Sequence, residues 1–316
     1  MPRPPLFKMP YGIDTPPIKA VLRWKLGGLF RKRRERVSED DLRPVVRELR
    51  EEDLDRKEDF VVWLGHATFL IQLGGVRILT DPVFGSIPMT PRLIPFPIDP
   101  EALKPDVILI SHGHFDHLDL QSLSMLGVAD GSIPILLPSG LSRYLKRGAD
   151  ATELGWYEDH TVKGVTITAL PASHWHRRGA RDFNRALWCS FWIERDGERI
   201  YFAGDSALDG HFEEIHERLG TPSLALMPVG AYLPEFVMRT NHMNPDEAVK
   251  ATRRLGAPRM IPYHYGTFKL SDEPIGEPEV WIKRLATVER GLQIDVLDVG
   301  EITPINIPNN PAKEHP

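Results

Sequence analysis

The residues with the clearest chemical use lie in one short stretch, Ser111-His112-Gly113-His114-Phe115-Asp116-His117. Three histidines and one carboxylate fall within six residues there, and neutral imidazole and carboxylate are ligands that Zn²⁺ and similar ions prefer. The apolar residues 107–110 before it predict a buried strand, and Asp119 is a candidate N-cap for a helix after it. Because a loop between strand and helix can direct several side chains at one point, the pattern predicts a metal site.

Three further candidate ligands each follow a later predicted strand: His174, Asp205 and His264. Taken singly, each is a weak signal, since a lone His near a strand end is commonly structural and an Asp after Ala-Gly can form a turn. Open α/β sheets, however, build their sites at strand ends. The full set then has seven ligands, more than one tetrahedral ion uses. The sequence therefore predicts a dinuclear site with one bridging carboxylate.

The motif His112-x-His114-x-Asp116-His117, with the later His, Asp and His, resembles the metallo-β-lactamase-fold hydrolases, over about residues 60–302. Other motifs, in order, look like the branch that contains N-acylphosphatidylethanolamine-hydrolysing phospholipase D and its bacterial relatives. They are Trp63-Leu64-Gly65-His66-Ala67-Thr68, Leu79-Thr80-Asp81-Pro82, Ser173-His174-Trp175, Phe202-Ala203-Gly204-Asp205-Ser206, Asn241-His242-Met243-Asn244-Pro245 and His264-Tyr265-Gly266-Thr267-Phe268. The first motif is typical of the whole superfamily, and the others are more specific to this branch.

The resemblance implies an α/β fold, the four-layer αβ/βα sandwich of this superfamily, with the site at one edge of the paired sheets. It implies two Zn²⁺ ions, with other divalent ions left open. The first ion would be held by His112, His114 and His174, the second by Asp116, His117 and His264, and Asp205 would bridge them. His176 competes with His174 for its role, but His174 precedes Trp175 as in the family motif.

The catalytic group is predicted to comprise Asp116, Asp205 and His242. His242 lies between two asparagines and is a candidate for contacting substrate or protonating a leaving group; a hydrogen bond at a helix entry is the open alternative. His66 and Asp81 are candidate partners for the free N–H groups of ligating imidazoles. Asp81 is equally well explained as a turn residue before a proline.

The chemistry expected of two ions is displacement at phosphorus. Ions about 3.5–4 Å apart lower the pKa of a shared hydroxide and stabilise the attacking and leaving oxygens. The resemblance implies a phosphodiesterase that acts on a phospholipid such as an N-acylphosphatidylethanolamine, and Arg177, Arg178 and Arg181 are candidates for binding its phosphate, or merely a solvated loop. A lactone or small phosphoester hydrolase of the same fold, and a non-hydrolytic metal-binding or redox protein, remain alternatives.

Composition sets the broader expectations. The chain has 316 residues, 41% hydrophobic, and a net charge of −5, which favours a sizeable core and argues against a nucleic-acid partner. A lone cysteine, Cys189, excludes an internal disulfide framework and suits a reducing compartment. No apolar stretch is long enough for a transmembrane helix, and the N-terminus has no signal-peptide core. We therefore expect a cytoplasmic protein; the oligomeric state is not indicated.

The predicted organisation has three parts: an N-terminal arm with helices over residues 1–58, packed on the core, a catalytic domain over 59–304, and a C-terminal tail over 305–316. Residues 18–36 combine apolar side chains with a basic run at 31–36. They are predicted either to pack on the catalytic domain, which is slightly favoured, or to contact the inner membrane surface reversibly. Helices are predicted over 39–51, 139–146, 209–219, 245–255 and 279–290.

Overall fold

Two seven-stranded β-sheets form the centre of the computed structural model, which describes residues 6–8, 23–24 and 40–305. The strands of the first sheet are β1 (Phe60–Trp63), β2 (Phe69–Leu73), β3 (Val76–Thr80), β4 (Val107–Leu109), β5 (Ile135–Pro138), β6 (Ala151–Leu154) and β14 (Ile302–Pro304). The second sheet contains β7 (Asp159–Val162), β8 (Val165–Leu170), β9 (Ser190–Arg195), β10 (Glu198–Phe202), β11 (Leu224–Pro228), β12 (Arg259–Tyr263) and β13 (Gln293–Ile294).

The two sheets have the same plan. The first has the order β14-β1-β2-β3-β4-β5-β6 and the second the order β13-β12-β11-β10-β9-β8-β7. In each sheet four neighbouring strands are antiparallel, namely β14, β1, β2 and β3 in the first and β7 to β10 in the second. The strands that follow, β4 to β6 and β11 to β13, are parallel. Parallel strands end at the same edge of a sheet, so the loops that follow them are brought together there.

Helices cover the outer faces of the paired sheets. They are α1 (Leu120–Met125), α2 (His211–Leu219), α3 (Glu235–Met238), α4 (Pro245–Arg254) and α5 (Glu277–Val288), with short 3₁₀ helices at Glu51–Leu54, Pro100–Leu103, Val128–Asp130 and Ser142–Tyr144. Along β1, Val61 and Trp63 belong to one hydrophobic cluster and Val62 to the other. Strands buried on both faces are expected where a sheet is covered on both sides. The predicted four-layer αβ/βα sandwich is confirmed.

Local signals in the sequence placed several boundaries correctly. Asp119 accepts hydrogen bonds from the backbone N–H groups of Gln121 and Ser122 and caps α1, as predicted. Asn244 and Glu247 form a capping box at the start of α4, with Pro245 in its first turn. These caps matter for function because each helix starts within a few residues of a predicted site residue.

Two predicted helices are wrong. Residues 41–50 form no helix: Val46 pairs with Val299 in an isolated bridge, and Arg47 N donates to Val299 O at 2.7 Å. The reason is Pro44, which cannot donate a backbone hydrogen bond and disfavours helix in the residue before it. Over 139–146 only the 3₁₀ turn Ser142–Tyr144 forms, because Gly140 adopts a left-handed φ of 89°.

Most of the N-terminal prediction lies outside the described residues. Of residues 18–36 only Arg23 and Trp24 are described, and of the predicted tail only Ile305. The division at residues 58 and 304 stays a prediction. Among the described residues, no helix has both the length and the apolar character needed to span a bilayer.

Candidate metal centre

The predicted ligands converge at one edge of the two sheets. His112 follows β4, His174 follows β8, Asp205 follows β10 and His264 follows β12. All four of these side chains are buried. His114, Asp116 and His117 complete the group from the loop between β4 and α1. The strand-end argument therefore placed these side chains in one cluster, while their binding of metal stays a prediction.

Three histidines form the first group of donors. His114 Nδ1 lies 2.9 Å from His112 Nε2 and 3.1 Å from His174 Nε2. Asp205 Oδ2 lies 3.9 Å from both His112 Nε2 and His174 Nε2. A tetrahedral ion with Zn–N bonds of 2.0–2.1 Å separates its donors by about 3.3 Å. The spacing therefore fits one such ion.

The second group shares Asp205 with the first. Asp205 Oδ2 lies 3.2 Å from His117 Nε2, and its Oδ1 lies 3.0 Å from His264 Nε2. Asp116 Oδ2 lies 3.6 Å from His117 Nε2 and 3.9 Å from His264 Nε2. Asp205 is thus the carboxylate that reaches both groups, as a bridging ligand must.

The electrostatics of the centre also fit a cation. Asp81, Asp116 and Asp205 are enclosed together, and ionised carboxylates away from water need a positive partner. Burial opposes a charge on His117, yet Asp205, Asp116 and Asp81 together raise its pKa well above the ordinary value. A proton is therefore held where a metal ion would replace it.

Burial favours the neutral form of four other imidazoles at the centre, and neutral imidazole is the form that binds metal. Burial lowers the pKa of His114 to about 4 and of His66 to about 3. Burial also lowers the pKa values of His112 and His174 well below the ordinary value. The buried Nε2 atoms of His117 and His264 make no hydrogen bond within the described part of the chain. Buried donor nitrogens without a hydrogen-bonding partner are what a metal ion in the centre would satisfy.

Asp81 contacts His117, one of the candidate ligands. Its Oδ2 lies 2.7 Å from His117 Nδ1 and accepts a hydrogen bond of 2.6 Å from Ser111 Oγ, while its Oδ1 accepts from Ser111 N at 2.7 Å. The Asp81 backbone has a left-handed φ of 33°. Such strain, of order 1–3 kcal/mol, is typical of sites where the surrounding structure holds a side chain in place. Asp81 is thus both a turn residue and an orienting residue.

His66 lies against the second donor group. Its Nε2 is 3.0 Å from Asp116 Oδ2, and its ring packs on His264 with centroids 4.1 Å apart. His66 and His264 both adopt left-handed backbone, with φ of 53° and 70°. His66 is close enough to Asp116, His117 and His264 to serve as a fourth donor. The hydrogen-bonding contact of His66 is thus with the carboxylate of Asp116, whereas the sequence predicted a contact with the free N–H of a ligating imidazole.

Two contacts, one at the centre and one beside it, were not predicted from the sequence. His174 Nδ1 lies 3.1 Å from the backbone oxygen of Asn241, which fixes the orientation of that imidazole. His176 points elsewhere: its Nε2 lies 3.1 Å from the Tyr144 hydroxyl. Backbone carbonyl groups carry no sequence signal, so the Asn241 contact could not have been anticipated. The structure therefore places His174, and not His176, among the donors.

His242 lies at the opening of the centre. Its Nδ1 is 3.8 Å from Asp205 Oδ2, and 13% of its side chain is exposed. Burial lowers its pKa to about 4, so the ring is neutral near pH 7. The Nδ1 atom makes no hydrogen bond within the described residues. His242 can therefore face a substrate on one side and the donor groups on the other.

Changing Asp81 to asparagine is expected to weaken zinc binding roughly 10- to 100-fold, because loss of its charge lowers the basicity of His117. The affinity is measured by competition with a chelator, with Asp159→Asn on exposed strand β7 as the matched control. An unchanged affinity in Asp81→Asn would show that the carboxylate only closes the turn.

Comparison with known proteins agrees with this geometry. Residues 76–265 match the family model described as a Beta-lactamase superfamily domain. The chain is 36% identical over 266 residues to N-acyl-phosphatidylethanolamine-hydrolyzing phospholipase D 1 of Caenorhabditis elegans, covering 77% of this chain and 75% of that relative. It is 39% identical over 239 residues to the mitochondrial N-acyl-phosphatidylethanolamine-hydrolyzing phospholipase D of Saccharomyces cerevisiae, covering 71% of this chain and 51% of that relative. This chain thus spans about half the length of the yeast protein.

Solved structures share the fold. Igni18, a metallo hydrolase from the archaeon Ignicoccus hospitalis, superposes with a TM-score of 0.58 at 21% identity, over 79% of this chain and 99% of that one. The chain belongs to the beta-lactamase superfamily. Within it, the protein is a metal-dependent hydrolase similar to the phospholipase D branch, and the resemblance stated from the sequence motifs is confirmed.

Proposed function

We propose that the protein is a dinuclear zinc phosphodiesterase that hydrolyses a phospholipid, with N-acylphosphatidylethanolamine as the leading substrate. The observation that carries the proposal is the pair of donor groups that share Asp205. The sequence identity of 36–39% to two N-acyl-phosphatidylethanolamine-hydrolysing enzymes supports the substrate class. Two ions suit this reaction because hydrolysis of a phosphodiester requires attack on an anion.

The residues of the chain would have the following roles. His112, His114 and His174 would hold one ion, Asp116, His117 and His264 the other, and Asp205 would set the spacing between them. Bound there, the ions would supply Lewis-acid polarisation of the phosphoryl oxygens and a lower pKa for the attacking water.

His242 would hydrogen-bond the substrate. Because its ring is neutral near pH 7, it can offer either an N–H donor or a lone pair to an oxygen at the opening. Asp81 and His66 would keep His117 and Asp116 in their orientations.

Apolar surface next to the centre supports a lipid substrate. Trp175 packs on the ligand His114 with ring centroids 4.8 Å apart, and exposed Phe183 packs on Trp175 at 5.9 Å. Phe115, between two of the predicted ligands, is exposed, as is Phe236 on α3. Exposed aromatic groups at a site opening suit acyl chains better than they suit a small polar ester.

The substrate is tested with a panel of N-acylphosphatidylethanolamine, a generic chromogenic phosphodiester and a lactone, each with zinc-loaded wild-type protein. We expect the phospholipid to have the highest kcat/KM and to release phosphatidic acid, since the P–O bond to the headgroup is cleaved. Turnover of the lactone alone would replace the proposal with the lactonase alternative. If the zinc-loaded protein hydrolyses none of the three substrates, a non-hydrolytic role would be favoured.

We also propose that the basic run 31–36 contacts an anionic membrane reversibly on the cytoplasmic side, with packing of residues 18–36 on the catalytic domain as the alternative. The Trp24 indole donates a hydrogen bond to Asp272 at 3.0 Å, which supports the packing. Each Lys or Arg near such a surface adds about 1 kcal/mol to binding.

Sedimentation with phosphatidylserine vesicles is expected to show binding at low salt that disappears at high salt, because surface attraction is screened. The variant Arg33→Gln/Arg34→Gln should bind more weakly, and vesicles of phosphatidylcholine alone should bind little. Absence of binding at low salt, with lipid turnover unaffected by deletion of residues 1–36, would refute the membrane role.

A further inference from the structure

Arg178 lies beside the metal-binding loop between β4 and α1. Its Nη1 donates to two backbone oxygens, Gly113 O at 3.1 Å and Leu118 O at 2.8 Å. Gly113 and Leu118 are the residues immediately before and after the four residues 114–117, which contain three predicted metal ligands. Both are buried, so their carbonyl groups need a partner inside the protein.

The same side chain also holds the exposed residue of this loop. The Arg178 guanidinium lies over the Phe115 ring, 4.2 Å from its centroid, and Phe115 stands between His114 and Asp116 in the chain. A planar guanidinium can donate hydrogen bonds and stack on an aromatic face at once, which a lysine ammonium cannot. Arg178 thus contacts the loop at its start, its end and its exposed side chain.

Arg178 itself is held firmly. Its backbone N–H and that of Gly179 donate to the Asp182 carboxylate, and Asp182 also accepts from the Tyr144 hydroxyl at 2.7 Å. His176 N donates to Asn184 Oδ1 at 2.9 Å, which closes the loop 176–184. A rigid loop therefore carries the guanidinium, so the position of the guanidinium is set before any ligand binds.

The loop 176–184 also approaches the metal-binding loop closely at Gly113. A Cβ on Gly113 would lie 2.3 Å from His176 Cε1. Within the metal-binding loop, His117 N and Leu118 N both donate to His114 O, at 3.2 and 2.9 Å. Residues 114–117 form a single turn, which is closed internally by these bonds and externally by Arg178.

We propose that Arg178 is a positioning residue that holds the turn 114–117 in the geometry that places His114, Asp116 and His117 toward the metal ions, and that it is not a phosphate-binding residue. The inference rests on the proposed metal centre. It differs from the sequence-based interpretations of Arg178 as a phosphate contact or as part of a solvated loop, because its Nη1 is bonded to the two carbonyl groups.

The test compares zinc affinity, by chelator competition on metal-free protein, among wild type, Arg178→Met, Arg178→Lys and Arg147→Met. Arg178→Met should weaken zinc binding roughly 10- to 100-fold, as changes around ligating residues commonly do. Arg178→Lys should recover part of the loss, since an ammonium can still donate to both carbonyl groups. Arg147 is exposed on the neighbouring segment, and its variant should bind zinc as wild type does.

Two further measurements separate positioning from other roles. At saturating zinc, KM of Arg178→Met should equal that of wild type; unchanged zinc affinity with a raised KM would instead make Arg178 a substrate contact and overturn the proposal. Amide hydrogen exchange of metal-free Arg178→Met should increase at residues 113–118 only. An increase spread over the core strands would show a general structural role and would also overturn it.

The outcomes distinguish this inference from the proposed function. If wild-type protein binds no zinc, the metal centre itself is wrong. If wild type binds zinc and Arg178→Met binds it equally well, only the role of Arg178 is wrong. If Arg178→Met does not fold, Arg178→Lys is compared with wild type instead. Zinc affinity and hydrogen exchange at residues 113–118 that are both equal to wild type in Arg178→Lys would count against positioning by the guanidinium.

Discussion

Replacing Asp205 with alanine is expected to lower kcat/KM by about 10³-fold and to reduce the zinc content below two ions per chain. Asp205 is the carboxylate within 3.9 Å of donors in both groups, so its removal takes a ligand from each ion. The size follows from losing several kcal/mol of charge stabilisation, since each 1.36 kcal/mol is about tenfold in rate. Elemental analysis and steady-state kinetics on the same preparation measure both effects.

The fold should survive this change. Asp205 lies outside the hydrophobic clusters, and its carboxylate contacts the imidazoles of other candidate ligands of the same centre. The thermal unfolding midpoint of Asp205→Ala should therefore stay near that of metal-free wild type. His114→Ala should behave alike, and Asp159→Ala on β7 serves as the control. Full activity of metal-free wild-type protein would show that the reaction does not depend on metal.

Replacing His242 with alanine is expected to lower kcat/KM by roughly 10²–10⁴-fold, the range for an acid–base group, while zinc content stays at the wild-type level. His242 faces the opening with an unbonded buried Nδ1, so its loss removes a contact to substrate without unfolding a strand or helix. The control is His160→Ala, an exposed histidine on β7.

Zinc content decides between two roles for His242. His174, Asp205 and His242 are close enough together to share an ion. A lower zinc content in His242→Ala would make the residue a ligand. Unchanged zinc content together with unchanged kinetics would leave it a hydrogen-bonding residue at the entry to α4, the alternative that the sequence left open.

Elements whose boundaries depend on neighbours in the chain were predictable. Strand β4 and the cap of α1 follow from the apolar residues 107–110 and from Asp119, and α4 matches the helix predicted over 245–255. The helix predicted over 39–51 does not form for an equally local reason, since Pro44 lacks a backbone N–H and interrupts a helix there. The short strand β13 and the edge strand β7 were not predicted, because brief, partly exposed segments show little periodicity in hydrophobicity.

The types of the candidate ligands, and their positions at strand ends, were determined by the sequence, because strand ends of a paired-sheet fold meet at one edge. Only the tertiary structure decided which nitrogen of each imidazole faces the centre and which of His174 and His176 lies there. It also decided that Asp116 pairs with His66 and that Arg178 bonds Gly113 and Leu118. The His66–Asp116 contact and the two bonds of Arg178 join residues 50 or more positions apart, and their geometry depends on how the two sheets pack. No local pattern in the chain encodes that packing.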